Sequence, residues 1–309
     1  MMSILVVGSI ALDSIETPFG KADGVVGGSA VFFSAAASML CPVKVVSVVG
    51  DDYPMEELSF LVDRKVDLSG VICAPGESFF WSGRYSYDLS SRETLETRLG
   101  VLSNFKPIIS DEFKNSRIVF LGNIDPVLQL DVIDQVDSPE IVACDTMDHW
   151  IKGKRKTLIK LLERVDILIV NDAEVREFSG EYNLIRAAHW IQERGPKIVV
   201  VKKGEHGAML FGPKSMFLVP GFPLDAVSDP TGAGDSFAGG FLGHLASVRS
   251  PNINDYKMAM VYGSIMGSFA VESFSVKRFR ELQHVEVTKR IMALREMAVF
   301  DHQTRESHA

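Results

Sequence analysis

The stretch Asp229-Pro230-Thr231-Gly232-Ala233-Gly234-Asp235-Ser236-Phe237 places two carboxylates and two glycines within seven residues. Pro230 disfavours helix at Asp229, and Gly232 and Gly234 let the backbone turn tightly or present its N–H groups. The small, apolar run that follows predicts a buried helix over 236–248. A glycine-rich turn leading into a helix gathers unpaired N–H groups at the positive end of the helix dipole, where an anion such as a phosphate binds. A carboxylate competes with that anion. The conflict resolves if Asp235 takes a proton from a nucleophile while the N–H groups hold the charge that develops beside it. The plain alternative is an N-capping aspartate, but the density of special residues around Asp235 favours chemistry.

The elements that must position this turn follow an α/β rhythm. Ile4-Leu5-Val6-Val7 is a short apolar run of the kind buried on both faces of a parallel sheet, and comparable runs recur at 43–49, 117–121, 140–144, 165–170 and 197–201. Polar residues mark their exits: Asp13, Gly50-Asp51, Asn123, Asp145, Asn171 and Lys202. Open α/β sheets bind ligands along that edge. Gly27-Gly28 leads into a helix of small residues and permits close approach of a ligand to backbone N–H groups, or else is a tight turn. Asn171 and Glu174 have the spacing of a capping box, and equally of a pair holding a hydrated Mg²⁺ through water. The segment 79–102 breaks the rhythm: aromatic and partly alternating, it predicts a hairpin projecting as a flap, with further strands from 14–26. Such a flap closes over a small substrate or pairs with another subunit. A second hairpin is expected at 208–219, near an edge of the sheet.

Composition narrows the class. The chain has 309 residues, a formal charge of −8 and a pI near 5.4, with no basic stripe to neutralise phosphates, so a nucleic-acid partner is not expected. Cys41, Cys73 and Cys144 lack metal-ligand spacing and read as buried free thiols of a reducing compartment. No apolar run reaches membrane-spanning length and the start of the chain lacks a basic leader, so a soluble, cytoplasmic protein without a membrane partner is expected. With no long linker or repeat, the expectation is one doubly wound α/β domain over 1–309 with a β lid from about 14–27 and 79–102. The sequence contains neither a Walker-type loop nor protein-kinase signatures.

Gly27-Gly28, Asn171-x-x-Glu174, Lys203-Gly204-x-x-Gly207 and Asp229-x-Thr231-Gly232-Ala233-Gly234-Asp235 occur in this order across nearly the whole chain. In them the sequence resembles the ribokinase (PfkB) family of carbohydrate and nucleoside kinases. The resemblance implies an ATP-dependent phosphotransferase in which Asp235 is the general base and the amides of Gly232, Ala233 and Gly234 form an anion hole. It implies that Asn171 and Glu174 organise Mg²⁺ and phosphate, and that Asp229 and Thr231 lie where some members bind a monovalent cation such as K⁺. Asp13, Gly27, Gly28 and Asn123 fall on the substrate side. Asn171, Lys203, Gly204, Gly207, Gly263 and Gly267 fall on the nucleotide side. The lid excludes water and in the family often mediates homodimers.

Two departures stand out. Where many sugar kinases of this family carry Asn after the double glycine, this chain has Phe32, which offers an aromatic face and no hydrogen bond. Lys202-Lys203 replaces a common Thr-Leu pair. The leading expectation is phosphorylation of a primary hydroxyl of a sugar or sugar derivative. A nucleoside kinase is the alternative, and a non-catalytic small-molecule-binding regulator a third reading.

Overall fold

A computed structural model describes residues 3–299. In chain order the strands are β1 (Ile4–Val7), β2 (Ala11–Thr17), β3 (Gly20–Gly27), β4 (Val43–Val49), β5 (Val66–Cys73), β6 (Phe79–Tyr85) and β7 (Arg92–Arg98). They continue with β8 (Ile118–Leu121), β9 (Ile141–Asp145), β10 (Ile167–Asn171), β11 (Ile198–Lys202), β12 (Ala208–Phe211) and β13 (Met216–Val219). Nine strands form one sheet in the order β13-β12-β11-β10-β9-β8-β1-β4-β5, and the other four form a second sheet in the order β3-β2-β6-β7. In the large sheet every pairing from β11 to β5 is parallel, and the β12–β13 hairpin adds antiparallel at one edge.

Strand alternation sorts the core into two layers. Ile4 and Val6 of β1 join one cluster, which includes Phe33, Phe241, Met266 and Phe269; Leu5 and Val7 join another, which includes Phe113, Leu161, Phe178 and Ile191. Helices therefore cover both faces, which is why these strands read as unbroken apolar runs and why the fold is doubly wound, as expected. On the first face, helix Ala233–Ser247 lies between helices Ser29–Ala37 and Ile253–Ala270. Its glycines make room for them: a Cβ at Gly240 would fall 2.5 Å from the carbonyl oxygen of Tyr262, and one at Gly239 would overlap that of Phe33.

The small sheet is the expected lid. β2 pairs parallel with β6, and each carries an antiparallel outer strand. The lid begins at Ala11 rather than at residue 14, and Gly100–Asn104 is a short 3-10 turn rather than strand. β5 lies outside the sequence reading. It is an edge strand, half exposed, whose Asp67, Ser69 and Gly70 mask the apolar pattern. Its last residue, Cys73, is exposed, so only two of the three thiols are buried as expected. The helix after the glycine-rich turn starts at Ala233, three positions earlier than the apolar run suggests.

Phe33 and Phe120 stack across the centre of the first layer with ring centroids 4.4 Å apart, and neither is exposed. Phe120→Ala removes that stack and leaves a cavity, so equilibrium urea unfolding is expected to show a loss of about 3–5 kcal/mol. A loss below about 1 kcal/mol would mean that this layer does not carry the core.

Candidate active site

The turn at the C-terminal edge of the sheet is built as its residue types demand. Gly232 adopts the left-handed conformation (φ 75°) and caps helix Ala233–Ser247. A side chain there would also strike the ring of Phe32, which is only 1% exposed and packs beneath the turn. Phe32 thus supports the turn from below, with its ring packed against Gly232. The Ala233 N–H is taken by the carbonyl of Pro230 at 3.2 Å, whereas Gly232 and Gly234 have no backbone acceptor among the described residues. Two of the three expected anion-hole amides are therefore free. Asp235 follows in the first turn of the helix, half-buried, with its carboxyl pushed up to about 7 by burial and by the nearby Asp145 charge; Lys202 and Arg92 pull the other way.

Asp13 does not sit at the exit of β1. It lies on β2, on the buried side of the lid, and its carboxylate packs against the α-carbon of Gly27, where any side chain would overlap it. Gly28 (φ 98°) caps helix Ser29–Ala37, so the double glycine serves close packing and a left-handed cap together. Asp13 is 4% exposed, and burial together with the charges of Asp229 and Asp235 raises its carboxyl to about 8. Tyr85, at the end of β6, shares a hydrogen bond with the hydroxyl of Thr231 at 3.0 Å, tying the lid to the glycine-rich turn.

Asn171 and Glu174 form the capping box of helix Asp172–Ser179: Glu174 N–H donates to Asn171 Oδ1 at 2.8 Å and Asn171 N–H donates to Glu174 Oε2 at 2.9 Å. The cap does not compete with an ion-organising role, since Oε1 of Glu174 receives no hydrogen bond within the described residues. Burial first, then Asp145, raises the Glu174 carboxyl to about 7. A carboxylate so placed fits Mg²⁺ held through water. Asp229 is fully buried; its Oδ1 accepts from Thr231 N–H at 2.8 Å, while Oδ2 has no partner among the described residues. An uncompensated buried carboxylate oxygen fits a monovalent cation.

Lys202, rather than Lys203, enters the site. Its Nζ reaches over the end of β10 to Asp145 Oδ2 at 3.4 Å and lies 2.8 Å from where a Cβ of Gly234 would be. Strand parity carries the signal: Ile198 and Val200 belong to the layer of helix Ala233–Ser247, so Lys202 must point there and Lys203 does not. Lys203, Gly204 and Gly207 form the β11–β12 turn, closed by the Lys203 N–H bond to the Gly207 carbonyl. Asn123 is engaged by its neighbours, accepting from Trp150 Nε1 at 3.0 Å. Gly263 is packed by the Phe237 ring, while Gly267, half-buried, lies next to the Ala233 carbonyl.

Comparison with known proteins agrees with this fold. Residues 25–281 match the family model described as pfkB family carbohydrate kinase. A cytidine kinase of Thermococcus kodakarensis is 28% identical over 249 residues, covering 78% of this chain and 88% of the relative. The crystal structure of a Methanocaldococcus jannaschii nucleoside kinase, an archaeal member of the ribokinase family, superposes with a TM-score of 0.76 at 20% identity, covering 95% of this chain and 99% of that one. A protein assigned as ribokinase II from E. coli, solved in complex with ATP and Mg²⁺, gives a TM-score of 0.78 at 19% identity, covering 95% and 100%. These superpositions establish the ribokinase-like fold.

A buried carboxyl held above its unfolded value stabilises the fold below its unfolded pKa, and that stability is lost as pH rises through the folded pKa. For Asp13 the window runs from 3.8 to about 8. Asp13→Asn is therefore expected to melt close to wild type near pH 4 and a few degrees higher at pH 8, roughly 2–4 °C for each kcal/mol recovered, in thermal unfolding without ligand. Equal melting temperatures at pH 8 would show that the carboxyl is not strained there.

Proposed function

The chain belongs to the pfkB family of carbohydrate kinases, phosphotransferases with an alcohol acceptor, and we propose that it transfers the γ-phosphate of ATP to the primary hydroxyl of a nucleoside. The observation that carries the choice of acceptor is the inner face of the lid. β2 and β6 pair in register with Asp13 opposite Trp81, so a carboxylate able to bind ribose hydroxyls and an indole able to meet a nucleobase sit side by side. The Trp81 ring lies across the α-carbon of Gly83, its Nε1 donates to Thr94 Oγ1 at 3.3 Å, and Arg92 lies 5.6 Å from its centre. A flat, anchored aromatic beside a hydroxyl-binding carboxylate suits a sugar bearing a base better than a free sugar. The similarity to a cytidine kinase points the same way.

In this reading the ribose hydroxyls bind Asp13, and the acceptor hydroxymethyl points at Asp235. Asp235 takes its proton as the oxygen attacks the γ-phosphorus, ADP leaves, and the free amides of Gly232 and Gly234 hold the charge on the transferring group. Glu174 and Asn171 would hold Mg²⁺ through water, which when bound neutralises charge on the nucleotide phosphates. Asp229 and Thr231 would hold a monovalent cation behind the turn. Closure of the lid, with Tyr85 on Thr231, keeps water from the phosphoryl group.

A coupled assay of ADP release across nucleosides and free sugars tests the acceptor: turnover confined to sugars would remove the nucleoside reading. Trp81→Ala is expected to raise KM for the nucleoside roughly tenfold and leave KM for ATP unchanged. Asp235→Asn is expected to lower kcat by about 10³-fold while ATP still binds, and undiminished turnover would refute the role of base. Because the base works deprotonated and its carboxyl is pushed up to about 7 in the protein without ligands, kcat/KM is expected to rise with pH through that value and level off above it.

A further inference from the structure

We infer that Lys202 is a third, charged member of the anion hole, contacting the transferring phosphoryl group, and that Asp145 is the residue that positions it. The inference rests on the kinase reading above and extends it to residues outside the glycine-rich turn.

The two free amides of that turn offer only partial charges, and a phosphoryl group in transfer carries full ones. Lys202 Nζ supplies a full positive charge at the same place, 2.8 Å from where a Cβ of Gly234 would lie. Its side chain is 15% exposed, so the ammonium is held away from bulk water, where its charge acts more strongly. A lysine chain has four rotatable bonds and needs an anchor to hold one position. Asp145 Oδ2 provides it at 3.4 Å, and Asp145 is itself fixed: its Oδ1 accepts from Thr146 N–H at 2.6 Å, and its backbone carbonyl accepts from Gln129 Nε2 at 3.1 Å. An ammonium has three donors, and Asp145 is the hydrogen-bond partner it has among the described residues. That leaves donors on an ammonium that lies beside the turn at Gly234. A Cβ at Gly234 would require the ammonium to shift from its present place.

The competing explanation is a structural ion pair that only balances buried charge. Lys202→Met alone strands Asp145 without its partner, so the double variant Lys202→Met/Asp145→Asn, which removes both charges together, decides between them. Steady-state kinetics with the acceptor that wild type uses, together with thermal melting, are the readouts. The expected result is that Lys202→Met and the double variant both lose about 10²–10³-fold in kcat, with the KM of the acceptor within about threefold, while the double variant melts with wild type. Asp145→Asn alone, which frees the lysine without removing it, is expected to lose about tenfold, and its loss is expected to vanish in the Lys202→Met background. Recovery of wild-type kcat in the double variant would overturn the inference and leave a structural pair. Wild-type protein that transfers phosphate to no alcohol acceptor would instead overturn the kinase reading itself.

Discussion

Five carboxyl groups, Asp13, Asp145, Glu174, Asp229 and Asp235, meet where the parallel strands end and the lid begins, and all five are held above their ordinary values, chiefly by burial. Burying like charges together is unfavourable unless cations share the space or protons neutralise some of the groups. Lys202 supplies one positive charge, and the three carboxylates around it hold it firmly protonated against the opposing effect of burial. Much else follows from this constraint. Asp229 keeps one buried oxygen without a partner among the described residues. Glu174 closes a helix with one oxygen and keeps the other. Asp235 is pushed up to about 7 because burial first, and then the Asp145 charge, make ionisation difficult. On the reading proposed above, cations bound together with a nucleotide would offset this concentration of buried carboxyl groups.

Sequence patterns expose much of this arrangement because the chemistry is carried by backbone-dictating residues. Strands buried on both faces have to be continuous apolar runs, and a turn that presents amides has to contain glycine. Asp229 to Asp235 and the two sheets were legible for those reasons. What stayed hidden depends on side-chain direction or on partial exposure. Phe32 occupies the register of a ligand contact, yet its ring is needed under Gly232. Lys202 and Lys203 are indistinguishable as a dipeptide, and only the parity of β11 tells which one enters the site. β5 is half exposed and carries Asp67, Ser69 and Gly70, so no clean alternation marks it. Asn171 and Glu174 show a different limit: the capping box and the ion-organising pair looked like alternatives, and the geometry accommodates both at once.

The proposed function gives the lid a part in recognition as well as in closure. Asp13 reaches the site from β2, and Trp81 and Tyr85 from β6, so the contacts proposed for the substrate belong to the same small sheet that covers it. A parallel β2–β6 pairing keeps Asp13 and Trp81 abreast, and the fixed register means that neither can shift without the other. On the proposed reading the acceptor is held by the small sheet, while the glycine-rich turn, Lys202 and Asp145 belong to the large sheet and its helices.

That division gives the Tyr85–Thr231 hydrogen bond a meaning for the pace of turnover. It is a single bond between neutral hydroxyls, worth on the order of 1 kcal/mol net. On the proposed reading, a latch so weak would delay the departure of product very little while it aligns the sheet with the turn. Thr231 also donates its N–H to Asp229, so the latch adjoins the carboxylate proposed to hold an ion. On the proposed reading, product release and the ordering of that ion share one mechanical joint, and a substitution that stiffens it is expected to slow release before it touches chemistry.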